Sequence, residues 1–353
     1  MTRLALVMIV RDEAPSIARA LRSARPHVDR MIVLDTGSVD GTQDLALAEG
    51  AQLHHFTWID DFAAARNASL ALSDAAWNLV LDADEWIEGG AESLGPEILP
   101  ASGGDFMGEV RRDNHLDLPG GDASAVTWIP RVLPRGVHYE GRIHEQPVGV
   151  TRGVRLALRL GHDGFTAGAL ARKGDRNETL LMQALQDAPE DAYLWFQLAK
   201  EHQVRDRPPQ AALCFAEALR LAPADAPYRH ALVVRALTAL KAAGQIGEAL
   251  ELGEVEVENW PQSPDFWFAL GDLYLEAASR APERALTEFL PVVEGAWKRC
   301  LEIGERPELD GTVAGRGSHM AAHNLAVFYE TLRQPEEAAR YHALAAQLRF
   351  GQV

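Results

Sequence analysis

Cysteine is scarce: Cys214 and Cys300 are the only two among 353 residues. Two thiols cannot build a disulfide framework, and both stand in apolar helical patterns, so they read as small buried hydrophobes in a reducing compartment. Long hydrophobic runs are also lacking. Leu4–Val10, seven residues behind a single Arg, is too short to span a membrane, and no cleavage site precedes Arg11-Asp12-Glu13. It reads as a buried first strand, and the chain as a soluble, cytoplasmic protein without a transmembrane segment. Positive charge is in deficit, with 34 Lys+Arg against 51 Asp+Glu and a net charge of −17. That excludes a general nucleic-acid or anionic-membrane binder, since both use Lys and Arg to neutralise phosphate. A local phosphate site remains open, because it needs only a few donors or a metal.

Apolar residues make up 47% and charged residues 24%, a balance that rules out wholesale disorder. The length suggests two domains, and the pattern changes near residue 170. Before it, β-rich runs (4–10, 30–34, 51–56, 77–81) alternate with helical stretches (16–24, 42–49, 62–73). That alternation predicts βαβ units and a parallel sheet. Residues 103–165 are rich in Gly, Pro and Arg with brief strand patterns, and read as a β-containing extension or active-site loops. From about 171 to 353 the chain is Ala/Leu/Glu-rich and helical, and it repeats: Asp-Ala-Tyr-Leu-Trp-Phe-Gln-Leu-Ala (191–199) resembles Ser-Pro-Asp-Phe-Trp-Phe-Ala-Leu-Gly (263–271). Pro189, Pro223 and Pro261 are spaced 34 and 38 residues apart. A period near 34 with paired helices is the tetratricopeptide pattern. About four units are expected, over 190–223, 224–261, 262–306 and 318–352, against an irregular helical bundle as the plainer competitor. Gly317-Ser318-His319-Met320 leads directly into a helix and is taken as native.

Chemistry is most concentrated in Val80-Leu81-Asp82-Ala83-Asp84-Glu85. An apolar strand ending in two acids puts carboxylates at the carboxyl edge of a parallel sheet, where open α/β folds bind ligands. A hard divalent cation held by one or two carboxylates plus substrate oxygens suits diphosphate chemistry, although a solvated acidic turn is the plainer reading. Asp35 ends the second strand in the same way, before Thr36-Gly37-Ser38-Val39-Asp40-Gly41-Thr42, whose composition is that of a turn and helix cap. Asp61-Phe62-Ala63-Ala64-Ala65-Arg66-Asn67 places a cation and an amide near a helix start, and Arg66 suits a nucleotide base or phosphate.

In order and spacing, Met8-Ile9-Val10-Arg11-Asp12-Glu13, Leu34–Thr42, Asp61–Asn67 and Leu81–Glu85 resemble the family 2 glycosyltransferases of GT-A fold. The resemblance is nearest to the bacterial branch whose catalytic domain precedes tetratricopeptide repeats, including the glycocin-type peptide S-glycosyltransferases, and it covers the whole chain. Asp12 stands where the family often has Asn, and Val39 where Thr is usual. The implied architecture is α/β: a GT-A, Rossmann-like nucleotide-sugar domain over 1–170, followed by an all-α tetratricopeptide solenoid over 171–353. The resemblance implies that Val10, Arg11 and Glu13 line the base and ribose pocket and that Asp35 contacts the base. It further implies that Arg66 holds the nucleotide, that Asp82 with Ala83 meets the ribose or metal, and that Asp84 coordinates a divalent Mn2+ or Mg2+ ion.

Trp128–Leu133, His138–Glu145 and Gly161-His162-Asp163-Gly164-Phe165 match a further series of that branch. An inverting transferase needs a base near its acceptor; Glu145 is the first choice, with Glu140 or Asp163 as fallbacks. His162 is the candidate third metal ligand and His144 the alternative, each set against a satisfied structural histidine. Arg172 and Lys173 read as helix-capping rather than diphosphate-binding. The implied activity is transfer of a sugar from a nucleotide sugar, UDP-linked by preference, to an acceptor. The repeats would hold a peptide, protein or glycan acceptor or dimerise two copies, with Gln197, Lys200, His230, Asn324 and Glu330 as groove candidates and the recurring aromatics as packing. The rival readings are an envelope polysaccharide or lipopolysaccharide-core transferase, and an inactive repeat scaffold.

Overall fold

The computed structural model describes residues 2–118, 121–163 and 175–350. Gly164, Phe165, Arg172, Lys173 and the boundary expected at 170 lie outside the described residues. The chain divides into two compact units, Met1–Ala184 and Leu185–Val353.

The first unit is organised by an eight-stranded sheet of order β3-β2-β1-β4-β7-β6-β10-β5. Its parallel half consists of β1 (Leu4–Val10), β2 (Arg30–Asp35), β3 (Gln52–His55) and β4 (Trp77–Val80), connected through α1 (Ile17–Ala24), α2 (Thr42–Ala48) and α3 (Phe62–Ala71). β1 is central and apolar throughout, as a strand covered on both faces must be. Its Leu4, Leu6 and Met8 pack with Ile17 and Leu21 of α1 and Trp77 and Leu79 of β4, all fully buried. Truncating one such side chain to Ala costs about 2–5 kcal/mol. The second half adds β5 (Glu85–Gly89), β6 (Met107–Leu118), β7 (Gly121–Pro134) and β10 (Gly153–His162). β6 and β7 are antiparallel strands of 12 and 14 residues, far longer than the brief patterns suggested by their sequence. Polar side chains interrupt the alternation there because several charges are buried by pairing. A separate ribbon joins β8 (His138–Glu140) to β9 (Gln146–Val148).

Parallel register fixes one common edge. Val10 lies beside Asp35, and Val7 beside Val80, so the carboxyl ends of β1, β2 and β4 open on the same side. Two surface clefts of about 330 and 290 Å3 lie at the other edge, lined by residues such as Asp29–Met31 and Thr2, Asp74 and Ala76.

α4 (Arg176–Asp187) spans the unit boundary and is followed by four helical hairpins. They pair α5 (Ala192–Val204) with α6 (Pro208–Leu221), α7 (Arg229–Ala242) with α8 (Ile246–Glu256), α9 (Pro264–Arg280) with α10 (Leu290–Ile303), and α11 (His319–Thr331) with α12 (Pro335–Phe350). The internal likeness has a physical basis. Asp191 and Ser263 cap α5 and α9, and Trp195 and Trp267 each donate Nε1–H to a proline carbonyl six residues earlier, Pro189 at 2.8 Å and Pro261 at 3.2 Å. Gly271 of α9 is held small by Trp297 of α10, whose ring would lie 2.4 Å from an added Cβ.

Two groove expectations are corrected. His230 is buried: Nδ1 lies 2.8 Å from the carbonyl of Asp310 and Nε2 2.7 Å from the Ser263 hydroxyl. The carbonyl can only accept, so Nδ1 carries the proton and Nε2 accepts from Ser263. Gln197 is buried as well and accepts from Lys200. No helix among the described residues is long and apolar enough to cross a membrane.

Candidate active site at the carboxyl edge of the sheet

At the end of β2, Asp35 is 1% exposed and serves its own turn. Its Oδ1 accepts from the Gly37 and Ser38 amides and from Gln43 Nε2 at 2.9–3.0 Å, while Oδ2 has one long 3.3 Å contact from Ser38. Burial pushes the carboxyl pKa up, but the bonds from Ser38, Gly37 and Gln43 together hold it below its ordinary value. The preceding loop interlocks with this turn. Asp12 adopts φ 56°, a left-handed conformation that Asp and Asn tolerate, and its Oδ1 accepts from the Val39 amide. Asp therefore serves here as Asn would. Glu13 accepts from Ser16 Oγ, and its amide donates to Thr42 Oγ1. Val10 is buried and Arg11 is exposed on the same edge.

The end of β4 is built differently. The chain turns at Ala83, whose methyl joins the apolar core, so Asp82 and Asp84 part company. Asp82 meets two arginines: Arg66 of α3 at Oδ1, and Arg131 of β7 at Oδ2, 2.6 Å away. Arg66 Nε also donates to Glu145 Oε1 at 2.8 Å, and Arg131 to Glu85 Oε1 at 2.7 Å, where Arg112 joins at 3.1 Å. Glu85 Oε2 accepts the Asp82 amide. Three cations thus balance three carboxylates in a largely buried cluster. Burial disfavours the charges of Asp82, Arg66 and Arg131; Arg131 and Arg66 nevertheless hold the Asp82 pKa well below the carboxylate range, and Asp82 and Glu145 keep Arg66 protonated. Within the Arg66–Asp82–Arg131–Glu85 chain, Asp82 is the open member, 31% exposed against 7%, 10% and 0%. A ligand at the sheet edge would reach the cluster through Asp82.

Local sequence explains how these groups are presented. Asp61 caps α3 by accepting from Ala64 N, which sets the turn that buries Arg66. Asn67 forms reciprocal bonds with the backbone of Tyr139, pinning β8 and the loop that carries Glu145. Burial raises the Tyr139 pKa, against Arg66 and Arg131, so it stays a phenol below that cluster.

Asp84 faces β10. The β5–β10 register sets His162 opposite Glu85, and Gly161 opposite Trp86, whose ring would lie 2.4 Å from a Cβ there. His162 Nε2 approaches Asp84 Oδ2 at 3.4 Å, and Nδ1 lies 2.9 Å from Asn114 Oδ1. Asn114 Nδ2 donates to the Ala125 carbonyl, which makes Oδ1 the acceptor and assigns the proton to Nδ1. The nitrogen turned to Asp84 is then the basic one. A carboxylate oxygen and an imidazole nitrogen held this way fit a divalent cation of the Mn2+ or Mg2+ class. Among the described residues no group of three or more His, Cys, Asp or Glu side chains is arranged to hold a metal.

The structure thus brings Arg66, Asp82 and Glu145 together, and separately Asp84 and His162. Glu140 is exposed beside His138, and Asp163 pairs with Arg19 at 2.5 Å. His144 stands next to Glu145 with φ 50°. Arg131, Arg112, Glu85 and Tyr139 were not singled out from sequence. The available signal was charge in strand patterns that otherwise read as buried, since such charges must be paired.

Residues 5–92 match the glycosyl transferase family 2. A TPR repeat-containing protein of Synechococcus elongatus is 48% identical over 105 residues, covering 28% of this chain and 26% of that protein. The SPbeta prophage-derived glycosyltransferase SunS of Bacillus subtilis is 24% identical over 213 residues, covering 58% of this chain and 50% of SunS. The matches thus span about a quarter and a half of those relatives. Among solved structures, MamA aligns over 52% of this chain and 95% of its own at 14% identity and TM-score 0.39. Glucosyl-3-phosphoglycerate synthase from Mycobacterium tuberculosis, in complex with Mn2+, UDP and glucosyl-3-phosphoglycerate, aligns over 32% and 44% at 23% identity and TM-score 0.26. At such scores the fold rests on the chain's own topology. The chain carries a family 2 glycosyl transferase domain ahead of tetratricopeptide-type helical pairs.

Proposed function

We propose that this protein is an inverting glycosyltransferase that moves a sugar from a UDP-sugar to an acceptor held with the help of the helical repeats. The observation that carries this reading is the end of β4. There Asp82 closes a buried arginine–carboxylate cluster while Asp84 faces His162, within and beside the segment that matches the family. Val10, Arg11, Glu13 and Asp35 would receive the base and ribose. Asp82 and Ala83 would meet the ribose. Asp84 and His162 would hold Mn2+ or Mg2+, which when bound neutralises charge on the departing diphosphate.

Arg66 contributes positive charge at a fixed position, since its guanidinium is locked between Asp82 and Glu145 and needs no reorganisation during transfer. We assign Glu145 as the base. Oε1 is committed to Arg66, whereas Oε2 makes no hydrogen bond among the described residues and is the oxygen that would accept the acceptor's proton. A peptide or protein side chain is the acceptor class we favour, because remote segments gripped by a repeat surface would help orient the nucleophile.

The test is UDP release from a panel of UDP-sugars with and without manganese, beside calorimetric titration with nucleoside diphosphates. Manganese-dependent release that disappears in Asp84→Ala is expected. Release unaffected by that substitution would remove the metal assignment. Failure of folded protein to bind any nucleoside diphosphate would overturn the transferase reading.

A further inference from the structure

The first helices of the four hairpins are cross-linked by polar side chains on one face. Arg235 of α7 donates to Gln203 of α5 at 2.6 Å, Lys241 of α7 lies 3.6 Å from Asp272 of α9, and Asn324 of α11 donates to Asp272 at 3.4 Å. Links between successive first helices define the inner surface of a helical-repeat array. The segment between α10 and α11 folds onto that surface. Its Asp310 carbonyl meets His230 of α7, and its Val313 amide and Arg316 Nη1 donate to Asp265 of α9 at 2.9 and 3.0 Å. The insertion thereby delivers a second guanidinium to the neighbourhood of Arg235.

Not every charge there has a partner at contact distance. Lys241 has Asp272, and Arg316 has Asp265. Arg235 has no carboxylate within ion-pair distance among the described residues, and its hydrogen-bond partner is the neutral Gln203 amide oxygen. Burial, and then the charge of Arg316, push the Arg235 pKa down, against a pull from Asp310 beyond ion-pair distance. Arg316 Nε is a buried donor with no partner among the described residues. Both arginines retain intermediate exposure, so a ligand could reach them. A partly buried cation left on a neutral partner is costly unless an anion completes it, and a planar guanidinium matches a carboxylate best.

We propose that the inner face of the repeats binds a carboxylate of a polypeptide at Arg235 and Arg316, with Gln203 orienting the Arg235 guanidinium. The ligand class is an acidic peptide segment, and its identification as part of the acceptor rests on the proposed transferase function. The chain's net charge of −17 repels such peptides in general, so affinity for one requires a local cationic site.

Fluorescence anisotropy on the full chain, without donor or metal, tests this independently of turnover. The probes are a labelled hexaglutamate with an amidated terminus and a labelled hexaglutamine with a free terminus. Binding of the first identifies side-chain carboxylates as the ligand, and binding of the second a terminal carboxylate. Arg235→Gln should weaken the bound probe about tenfold or more, Arg235→Lys less, and Arg220→Gln on α6 not at all. Circular dichroism checks folding, and Arg316→Gln carries the same test should Arg235→Gln not fold. Absence of binding by both probes, or parental affinity in the folded arginine variants, would overturn the proposal and leave the transferase reading untouched.

Discussion

The ends of β2 and β4 begin from the same motif, a buried apolar strand closing on an aspartate, and reach opposite solutions. Asp35 is satisfied by neutral donors from residues 37, 38 and 43. Asp82 is satisfied by two charged donors, Arg66 and Arg131, 16 and 49 positions away. A carboxylate fed by its own turn is a local device that stiffens a loop. One fed by guanidiniums from a helix and a distant strand ties separate elements together.

The sharpest way to break the contrast is Arg131→Met. It leaves one oxygen of Asp82 unpaired and Glu85 with Arg112 as its remaining guanidinium in a buried setting, and should destabilise the protein by about 3–5 kcal/mol, read as a lower urea midpoint. A loss below about 1 kcal/mol would mean the cluster is no tighter than a surface pair. Next in size is Asp84→Ala, which should lower manganese-dependent UDP release by about a hundredfold, with a thermal midpoint close to the parent's because Asp84 lies outside the arginine cluster. Asp82→Asn should lower both stability and release, which separates the two neighbouring aspartates.

Acid titration tests both strand ends at once. Asp82 and Asp35 have native pKa values below their unfolded value of about 3.9, Asp82 far below and Asp35 less so. The unfolded state therefore binds more protons, and stability falls as pH drops from about 5 towards the native values, where the contribution is spent. Unfolding followed between pH 5 and 2 should be shallower in Asp82→Asn than in Asp35→Asn. The reverse order would contradict the assignment of the stronger pairing to β4. The smallest effect is Asp35→Asn at neutral pH, about 1 kcal/mol, because the amide oxygen still accepts from the turn.

The same contrast explains what could be read from sequence. Strands 4–10, 30–35, 52–55 and 77–80 follow from apolar runs between turn residues, and α1 to α3 from helical spacing, so boundaries agree to a residue or two. The four hairpins follow from the period near 34 residues and from the likeness of 191–199 to 263–271, for which the Trp195–Pro189 and Trp267–Pro261 bonds give the physical basis. The pairing of Arg66 with Asp82 and Glu145 was not legible, although each of the three residues had been singled out, because partners 16 and 79 positions apart leave no periodic trace. Arg131 and Glu85 stood inside quoted motifs but were given no role, for the same reason. His230 was misplaced because its partner, the Asp310 carbonyl, lies 80 positions away in the segment between α10 and α11.

Sequence alone determined the strands and helices of the parallel half-sheet, the repeats and the acids at the strand ends, since those depend on hydrophobic period and turn chemistry within a few neighbouring residues. Tertiary structure decided which acid meets arginine and which meets histidine. It also decided which polar side chain is buried and which reaches the inner face of the repeats. Charge pairing acts through a few ångströms of space, and the chain brings those ångströms together only after strands 50 residues apart have found their register.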